Sequence, residues 1–254
     1  MKKAFGSTLL GQYLFVRRCG GCGKILSFEE WEQALCEECA IRYRFAKLGS
    51  CQSCFRSAHA CRCMPAGLSS TGMLCLRKLI LYRSEKRAEP QNQLIYRLKQ
   101  GPNHRLAGFV AEELSVGIWE ELCTLGRDED LSSVCLVGVP RSRRAKAIYG
   151  HDQAPFLAKT LAKQMGATYV CAIGRRFGGK EQKKQSGKNR FRNLLDRFYA
   201  TDDAALVKDR CVILLDDVVT TGASMAACTK LLRRCGAREV IGVCIGQNEN
   251  RGRK

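Results

Sequence analysis

The sequence contains no run of about eighteen apolar residues, the length a helix needs to cross a bilayer, so no membrane span is expected. Acidic residues are in deficit: 24 Asp and Glu stand against 43 Lys and Arg, a formal net charge of +19. That imbalance favours polyanionic partners: nucleic acid, pyrophosphate or an anionic surface. Histidine is scarce, with three in the chain, and the position of His151 does not by itself assign it chemistry. A secretory leader is not expected. Met1-Lys2-Lys3, Leu9-Leu10 and Tyr13-Leu14-Phe15-Val16 give it a start, but Gly11 and Gln12 interrupt the apolar stretch and no small-residue cleavage site follows. This N-terminal stretch reads as a short amphipathic helix, and the protein is expected in the cytoplasm. No recognition-helix pattern for reading duplex DNA is visible. A hydrophobic share of 45% excludes intrinsic disorder as the general state over 254 residues, a length that allows one large domain or two smaller ones.

Cysteine, by contrast, is abundant at 16 residues, and eight lie between residues 19 and 63. Cys19-Gly20-Gly21-Cys22 and Cys36-Glu37-Glu38-Cys39 are separated by thirteen residues, a spacing that fits one four-thiolate zinc site on two knuckles. Cys51-Gln52-Ser53-Cys54 and Cys61-Arg62-Cys63 form a second set of four. Two structural zinc ions are therefore expected, with all positions filled by thiolate and no open site for substrate. Sequential sharing of the eight is the simplest pairing, and an interleaved one is the alternative. An iron–sulfur cluster uses the same four thiolates, and spacing does not separate it from zinc. Disulfides need an oxidising compartment that nothing else supports. Thioredoxin-like chemistry needs a Cys-x-x-Cys opening a helix in a βαβ unit, which is absent. The remaining cysteines are scattered, some in apolar runs such as Val134-Cys135-Leu136-Val137, and read as small core residues. Residues 1–70 are expected to form a small cysteine-rich double zinc-ribbon module, folded largely by its metal.

Residues 71–250 read as alternating strands and helices. Leu74 to Tyr82 is apolar with two basic interruptions and predicts a strand. Leu94 to Lys99 and Leu106 to Leu122 have helical spacing, and packing against a sheet accounts for them. Val134 to Val139 predicts a buried strand ending at Pro140. Arg141, Arg143, Arg144 and Lys146 follow at once, a concentration of cations suited to gripping phosphate oxygens. A helix begins near Gln153, with Asp152 as its expected cap. Thr168 to Ile173 predicts another strand. Residues 175–197 form a long basic excursion carrying Lys180, Lys183, Lys184, Lys188, Arg190, Arg192 and Arg197, which reads as a loop or a functional lid.

The densest chemistry lies in Val212-Ile213-Leu214-Leu215-Asp216-Asp217-Val218-Val219-Thr220-Thr221-Gly222-Ala223-Ser224. An apolar strand runs into two carboxylates and a small-residue turn, and Met225 to Leu232 then reads as a helix. Ligand sites in open parallel sheets form at strand carboxyl ends, and amides exposed at a helix N-terminus bind phosphate. The two carboxylates are suited to sugar hydroxyls or Mg²⁺ rather than to the phosphate itself. Gly236 is the expected C-cap of that helix, and Val240 to Ile245 a final strand.

This run resembles the phosphoribosyl-pyrophosphate (PRPP) signature of type I phosphoribosyltransferases. The resemblance implies an α/β fold with a mostly parallel sheet and flanking helices. It implies that Asp216 and Asp217 hold the ribose hydroxyls as the catalytic acids. Thr220, Thr221, Gly222, Ala223 and Ser224 would cradle the 5′-phosphate, Mg²⁺ would accompany PRPP, and Arg141, Arg143 and Arg144 would form the pyrophosphate loop. The paired cysteines, Leu98-Lys99, Val139-Pro140 with its basic loop, Gly150-x-x-Gln153, and Gln182, Ser186, Arg190, Asn193 and Phe198 extend the pattern over nearly the whole chain. Together they resemble the ComF family, which pairs a zinc-binding module with a phosphoribosyltransferase-like domain. Departures occur at His151-Asp152, where the family usually has Phe-Asn, and ahead of Gln182, where a Thr is missing. The family resemblance implies a link to DNA uptake in natural transformation, with single-stranded DNA and a competence helicase-type protein as partners. A single-stranded nucleic-acid-binding protein and a non-catalytic PRPP sensor are the alternative functions.

Overall fold

A computed structural model describes residues 16–83, 88–176 and 197–248. The expected N-terminal amphipathic helix and most of the basic excursion, including Lys180 through Asn193, lie outside the described residues.

Helix α1 (Glu37–Lys47) follows the second cysteine knuckle, with Glu37 and Glu38 in its first turn and Arg44 and Lys47 in its last, each complementing the helix dipole. A short helix α2 (Ala66–Ser69) precedes strand β1 (Leu76–Tyr82). Helix α3 (Pro90–Gln100) starts with proline at its first position and stops at Gly101. Helix α4 (His104–Thr124) is capped by Asn103, whose side-chain oxygen accepts from the Leu106 amide at 3.0 Å. Strand β2 (Val134–Gly138), helix α5 (Arg143–Tyr149), helix α6 (Gln153–Met165) and strand β3 (Thr168–Tyr169) come next. The chain closes with β4 (Ile173–Arg175), β5 (Phe198–Ala200), β6 (Cys211–Val219), α7 (Ala223–Arg234) and β7 (Glu239–Asn248).

The main sheet is parallel throughout, in the order β1-β7-β6-β2-β3. Parallel strands are covered on both faces, and this explains the continuous apolar runs of β2, β6 and β7. Alternate residues divide between two cores. Ile213, Leu215, Ile241, Val243 and Ile245 pack with α3, α4 and α6, while Val212, Leu214, Val240 and Cys244 pack with α2 and α7. The first core continues through Cys19, Leu26, Leu35 and Tyr43, so the first cysteine segment is seated on the same apolar mass as the helices.

Two expectations change. Thr168 to Ile173 is not one strand. The chain leaves the main sheet after Val170, whose amide still donates to the Leu136 carbonyl, and β4 pairs antiparallel with β5 in a separate ribbon. The amide of Thr201 donates to the Ala172 carbonyl and holds that departure. Asp152 stands at the N-cap position of α6 but caps no α6 amide. Its carboxylate instead accepts from the Arg141 amide at 3.2 and 3.3 Å and pairs with Lys146 at 2.6 Å. Gly236, with φ of +90°, lies one residue past the C-cap of α7, Cys235, in the left-handed geometry that ends helices.

Candidate functional site

The carboxyl ends of β2 and β6 lie side by side, since Gly138 pairs with Leu215. Strand β6 does not stop where its apolar run stops. It continues through Asp216 and Asp217 to Val219, so both acids belong to an extended strand, where successive side chains take opposite faces. Asp217 points to the α3 face. Its Oδ2 is 3.1 Å from Lys99 Nζ and 3.1 Å from Arg141 Nη2. Asp216 lies toward Cys228 of α7, Arg175 of β4 and its ladder partner Cys244 of β7, each of whose titration its charge perturbs. The two acids respond in opposite directions. Burial and the neighbouring Asp217 charge push the Asp216 carboxyl well above its ordinary value. Burial also acts upward on Asp217, but Lys99 and Arg141 outweigh it and hold its carboxyl below the usual range. One proton is thus readily retained on Asp216 while Asp217 stays ionised.

Arg141 organises this end of the sheet. One guanidinium nitrogen, Nη2, serves both Asp217 and Gln153 Oε1, the latter at 2.7 Å, and the group lies over the Tyr149 ring at 5.3 Å. The other nitrogen, Nη1, is buried with no acceptor among the described residues, and so is Gln153 Nε2 beside it. His151 fixes the neighbouring chain by bonding the Leu98 carbonyl through Nε2 at 2.9 Å, which holds the end of α3 and hence Lys99 near the site.

The connection from β6 to α7 is only Thr220-Thr221-Gly222, because α7 already begins at Ala223. Gly222 adopts φ of +76°. A β-carbon there would also lie 2.9 Å from Leu68 Cγ, so glycine is required by conformation and by space. Thr221 Oγ1 accepts from the Ala223 amide at 3.4 Å.

The eight N-terminal cysteines gather sequentially as two groups, Cys19, Cys22, Cys36, Cys39 and Cys51, Cys54, Cys61, Cys63, with the sulfurs of each group within 4.8 Å of one another. Cys22 and Cys36 sulfurs are 3.8 Å apart, and those of Cys54 and Cys61 3.6 Å. Tetrahedral coordination at about 2.3 Å per thiolate requires sulfur–sulfur edges of about 3.8 Å, whereas a disulfide requires about 2.05 Å. Both groups fit a four-coordinate metal. Amides of Gly21 and Cys36 donate to Cys19 Sγ, and such backbone bonds outweigh burial to bring the Cys19 thiol down to about 7. Cys51 is lowered to about 7, its burial offset by the Ser53 and Cys54 amides.

Residues 153–254 match the phosphoribosyl transferase domain family. The DNA utilization protein YhgH of Escherichia coli (strain K12) is 26% identical over 223 residues, covering 83% of this chain and 96% of the relative. The chain is thus similar to the phosphoribosyl transferase domain over its C-terminal part and to YhgH over most of its length. A ribose-phosphate pyrophosphokinase of Sulfurisphaera tokodaii is 27% identical over 136 residues, which cover 50% of this chain and 40% of the relative. Among solved structures, a hypoxanthine phosphoribosyltransferase from Staphylococcus aureus aligns with 15% identity and a TM-score of 0.33, over 59% of this chain and 67% of that one.

Asp216, Asp217, Arg141 and the loop Thr220–Ser224 all lie at the carboxyl ends of β2 and β6 or in the turn that follows. Arg143 and Arg144 begin α5 instead of extending the loop, and their side chains lie outside the described residues. Lys99 and Gln153 are site residues that charge and spacing did not single out. Packing was a sufficient reading of α3, and the signal that existed was the Leu98-Lys99 and Gly150-x-x-Gln153 pattern. No helix among the described residues is long and apolar enough to cross a membrane.

Proposed function

We propose that the chain binds PRPP, or a closely related phosphoribosyl ligand, at the carboxyl ends of β2 and β6, and that it transfers the phosphoribosyl group to an acceptor. The observation carrying this reading is the pair of buried donors without acceptors, Arg141 Nη1 and Gln153 Nε2, beside the ionised Asp217. Buried donors without partners are costly unless an acceptor arrives, and pyrophosphate oxygens are such acceptors. In this reading Thr220, Thr221 and the amides of Gly222, Ala223 and Ser224 receive the 5′-phosphate. Asp216 and Asp217 accept from the ribose hydroxyls. Asp217, and Asp216 once an ion displaces its proton, are hard oxygen donors that would fit Mg²⁺; bound with PRPP, the ion would supply charge neutralisation for the departing pyrophosphate. Arg141, with Arg143 and Arg144, stabilises the same leaving charge, while the acids favour positive charge developing at the sugar.

Zinc is the proposed ion of both cysteine groups. Residues 1–70 are then a structural metal module and residues 71–250 the phosphoribosyltransferase-like domain, in a cytoplasmic protein. The name of the YhgH relative supports a role in DNA handling. Single-stranded DNA and a helicase-type protein are the partners we propose, and the excess of 43 basic over 24 acidic residues favours the first of these. Release of pyrophosphate from PRPP and Mg²⁺ in the presence of nucleobases tests the transferase reading. Saturable PRPP binding without release under any acceptor identifies a sensor instead.

A further inference from the structure

Lys78 is among the most completely buried side chains of the molecule, yet it carries a charge and sits in strand β1. Its Nζ donates to Cys61 Sγ at 3.3 Å and to the Cys63 carbonyl at 2.5 Å, both in the second cysteine group. A divalent ion held by four thiolates leaves excess negative charge, and a buried ammonium is its natural counterion. The amide of Leu76 also donates to the Arg62 carbonyl, so β1 holds the Cys61–Cys63 segment from two positions. In the sheet, Lys78 pairs with Cys244, and Cys244 pairs with Asp216. The second cysteine group is therefore anchored on the strand row that ends in the candidate site.

The chain leaving that group runs straight to the phosphate loop. Pro65 starts α2, and Leu68, fully buried, packs against the underside of Gly222. A methyl group on Gly222 would lie 2.9 Å from Leu68 Cγ and 3.5 Å from Pro65 Cγ. Thr71 Oγ1 donates to the Leu68 carbonyl at 2.6 Å and closes this short turn. α2 packs on α7, the helix that the loop opens. Nothing in the phosphoribosyl chemistry calls for these contacts, since the loop has its own strand and helix.

We propose that the second cysteine group braces the phosphate loop, so that metal binding there and 5′-phosphate binding at Thr220–Ser224 are thermodynamically linked. Metal fixes Cys61 and Cys63, Lys78 ties them to the sheet, and Leu68 holds Gly222 in its left-handed conformation. Leu68 and Lys78 are positioning residues; neither touches the ligand. The brace stands on geometry, and only its ligand half rests on the phosphoribosyl reading. Linkage is reciprocal, so the ligand must also retain the metal.

Two measurements on the full metal-loaded chain test this. Hydrogen exchange of the Thr220–Ala226 amides is compared in the parent, Leu68→Ala and Lys78→Met, with β2 amides as the control for folding. The brace requires faster loop exchange in Leu68→Ala, roughly five-fold or more by the lower range of site couplings, with β2 unchanged. Should Leu68→Ala not fold, Lys78→Met decides the same question and must also release metal faster. Transfer of metal from the second group to a chelator is then timed with and without ribose 5-phosphate. The expected result is slower release in the parent with ligand, and loss of that slowing in Leu68→Ala. Unchanged loop exchange in the folded variants overturns the brace, as does ribose 5-phosphate that binds without slowing release. Failure of ribose 5-phosphate to bind at all overturns the phosphoribosyl reading, while the exchange data still decide the brace.

Discussion

At the scale of single residues, the two adjacent aspartates make opposite contributions. Asp217 is ionised between Lys99 and Arg141, whereas burial and Asp217 itself oppose ionisation of Asp216. An acid whose folded value is lowered adds stability above its unfolded value, and this is lost as pH falls through the folded one. An acid whose folded value is raised adds stability below its unfolded value, and this is lost as pH rises through the folded one. Asp217→Asn should therefore destabilise at neutral pH, by about 1.5–3 kcal/mol for charge-assisted bonds. Asp216→Asn should stabilise, with the gain greatest at neutral pH and vanishing in acid. A change of 1 kcal/mol corresponds to about 2–4 °C in Tm at this size, so thermal melts across pH resolve the sign. A fall in Tm for Asp216→Asn at neutral pH would count against the assigned asymmetry. Both acids were legible as a motif. Their divergence was not, because the run reads as a strand followed by a polar turn, whereas the strand extends to Val219 and separates them by the pleat.

At the scale of elements, the strands were the most legible part. β2, β6 and β7 are apolar runs whose starts follow within a residue, but β6 and β7 run on past their apolar stretches to Val219 and Asn248 because ladder pairing continues there. β3 and β4 were not separable, because one continuous stretch supplies two sheets and only its partners divide it. The two basic interruptions of β1 were visible, but not their destinations. Arg77 reaches Glu120 and Glu121 of α4 on one face, and Lys78 reaches the second cysteine group on the other. Gly222 illustrates the same limit. From sequence, glycine there serves close approach to a phosphate; in the fold, its missing side chain faces Leu68. Gly222→Val should therefore disturb the α2–α7 contact as well as the loop. It is expected to lower Tm by several degrees through strain at positive φ and the clash. A folded Gly222→Val protein with the parent's Tm would contradict that packing.

For the whole molecule, the two cysteine groups and the main sheet form a connected body. The first cysteine group is embedded in the core shared by α3, α4 and α6, and the segment that follows the second, through Pro65 and Leu68, abuts the β6–α7 turn. Metal removal should therefore do more than release the N-terminal segment. Elemental analysis of protein purified without added metal is expected to give about two zinc ions per chain, from four thiolates each. One ion per chain would retire one group, and iron with visible absorbance would retire zinc. Chelation should also lower the melting transition of the chain as a whole, because metal binding adds to folding free energy. A melt insensitive to chelator would show that the groups are peripheral. The expected pairing of cysteines was legible because knuckle spacing is local. Their seating on the sheet was not, because it rests on tertiary contacts such as Lys78 on Cys61 and Leu76 on Arg62 that knuckle spacing does not encode.

The carboxyl end of β6 and the following turn are proposed to hold a phosphoribosyl ligand. Calorimetric titration of PRPP with Mg²⁺ into the parent, Asp217→Asn and Thr221→Ala, each first shown to be folded, tests it most directly. The parent should bind one PRPP per chain. Asp217→Asn should weaken PRPP far more than inorganic phosphate, since it removes the acceptor for sugar hydroxyls and metal. Thr221→Ala should weaken PRPP and ribose 5-phosphate alike, by about 1.5–3 kcal/mol for a hydroxyl facing a charged oxygen. A parent protein that gives no binding, or variants that all bind PRPP as the parent does, would contradict the claim.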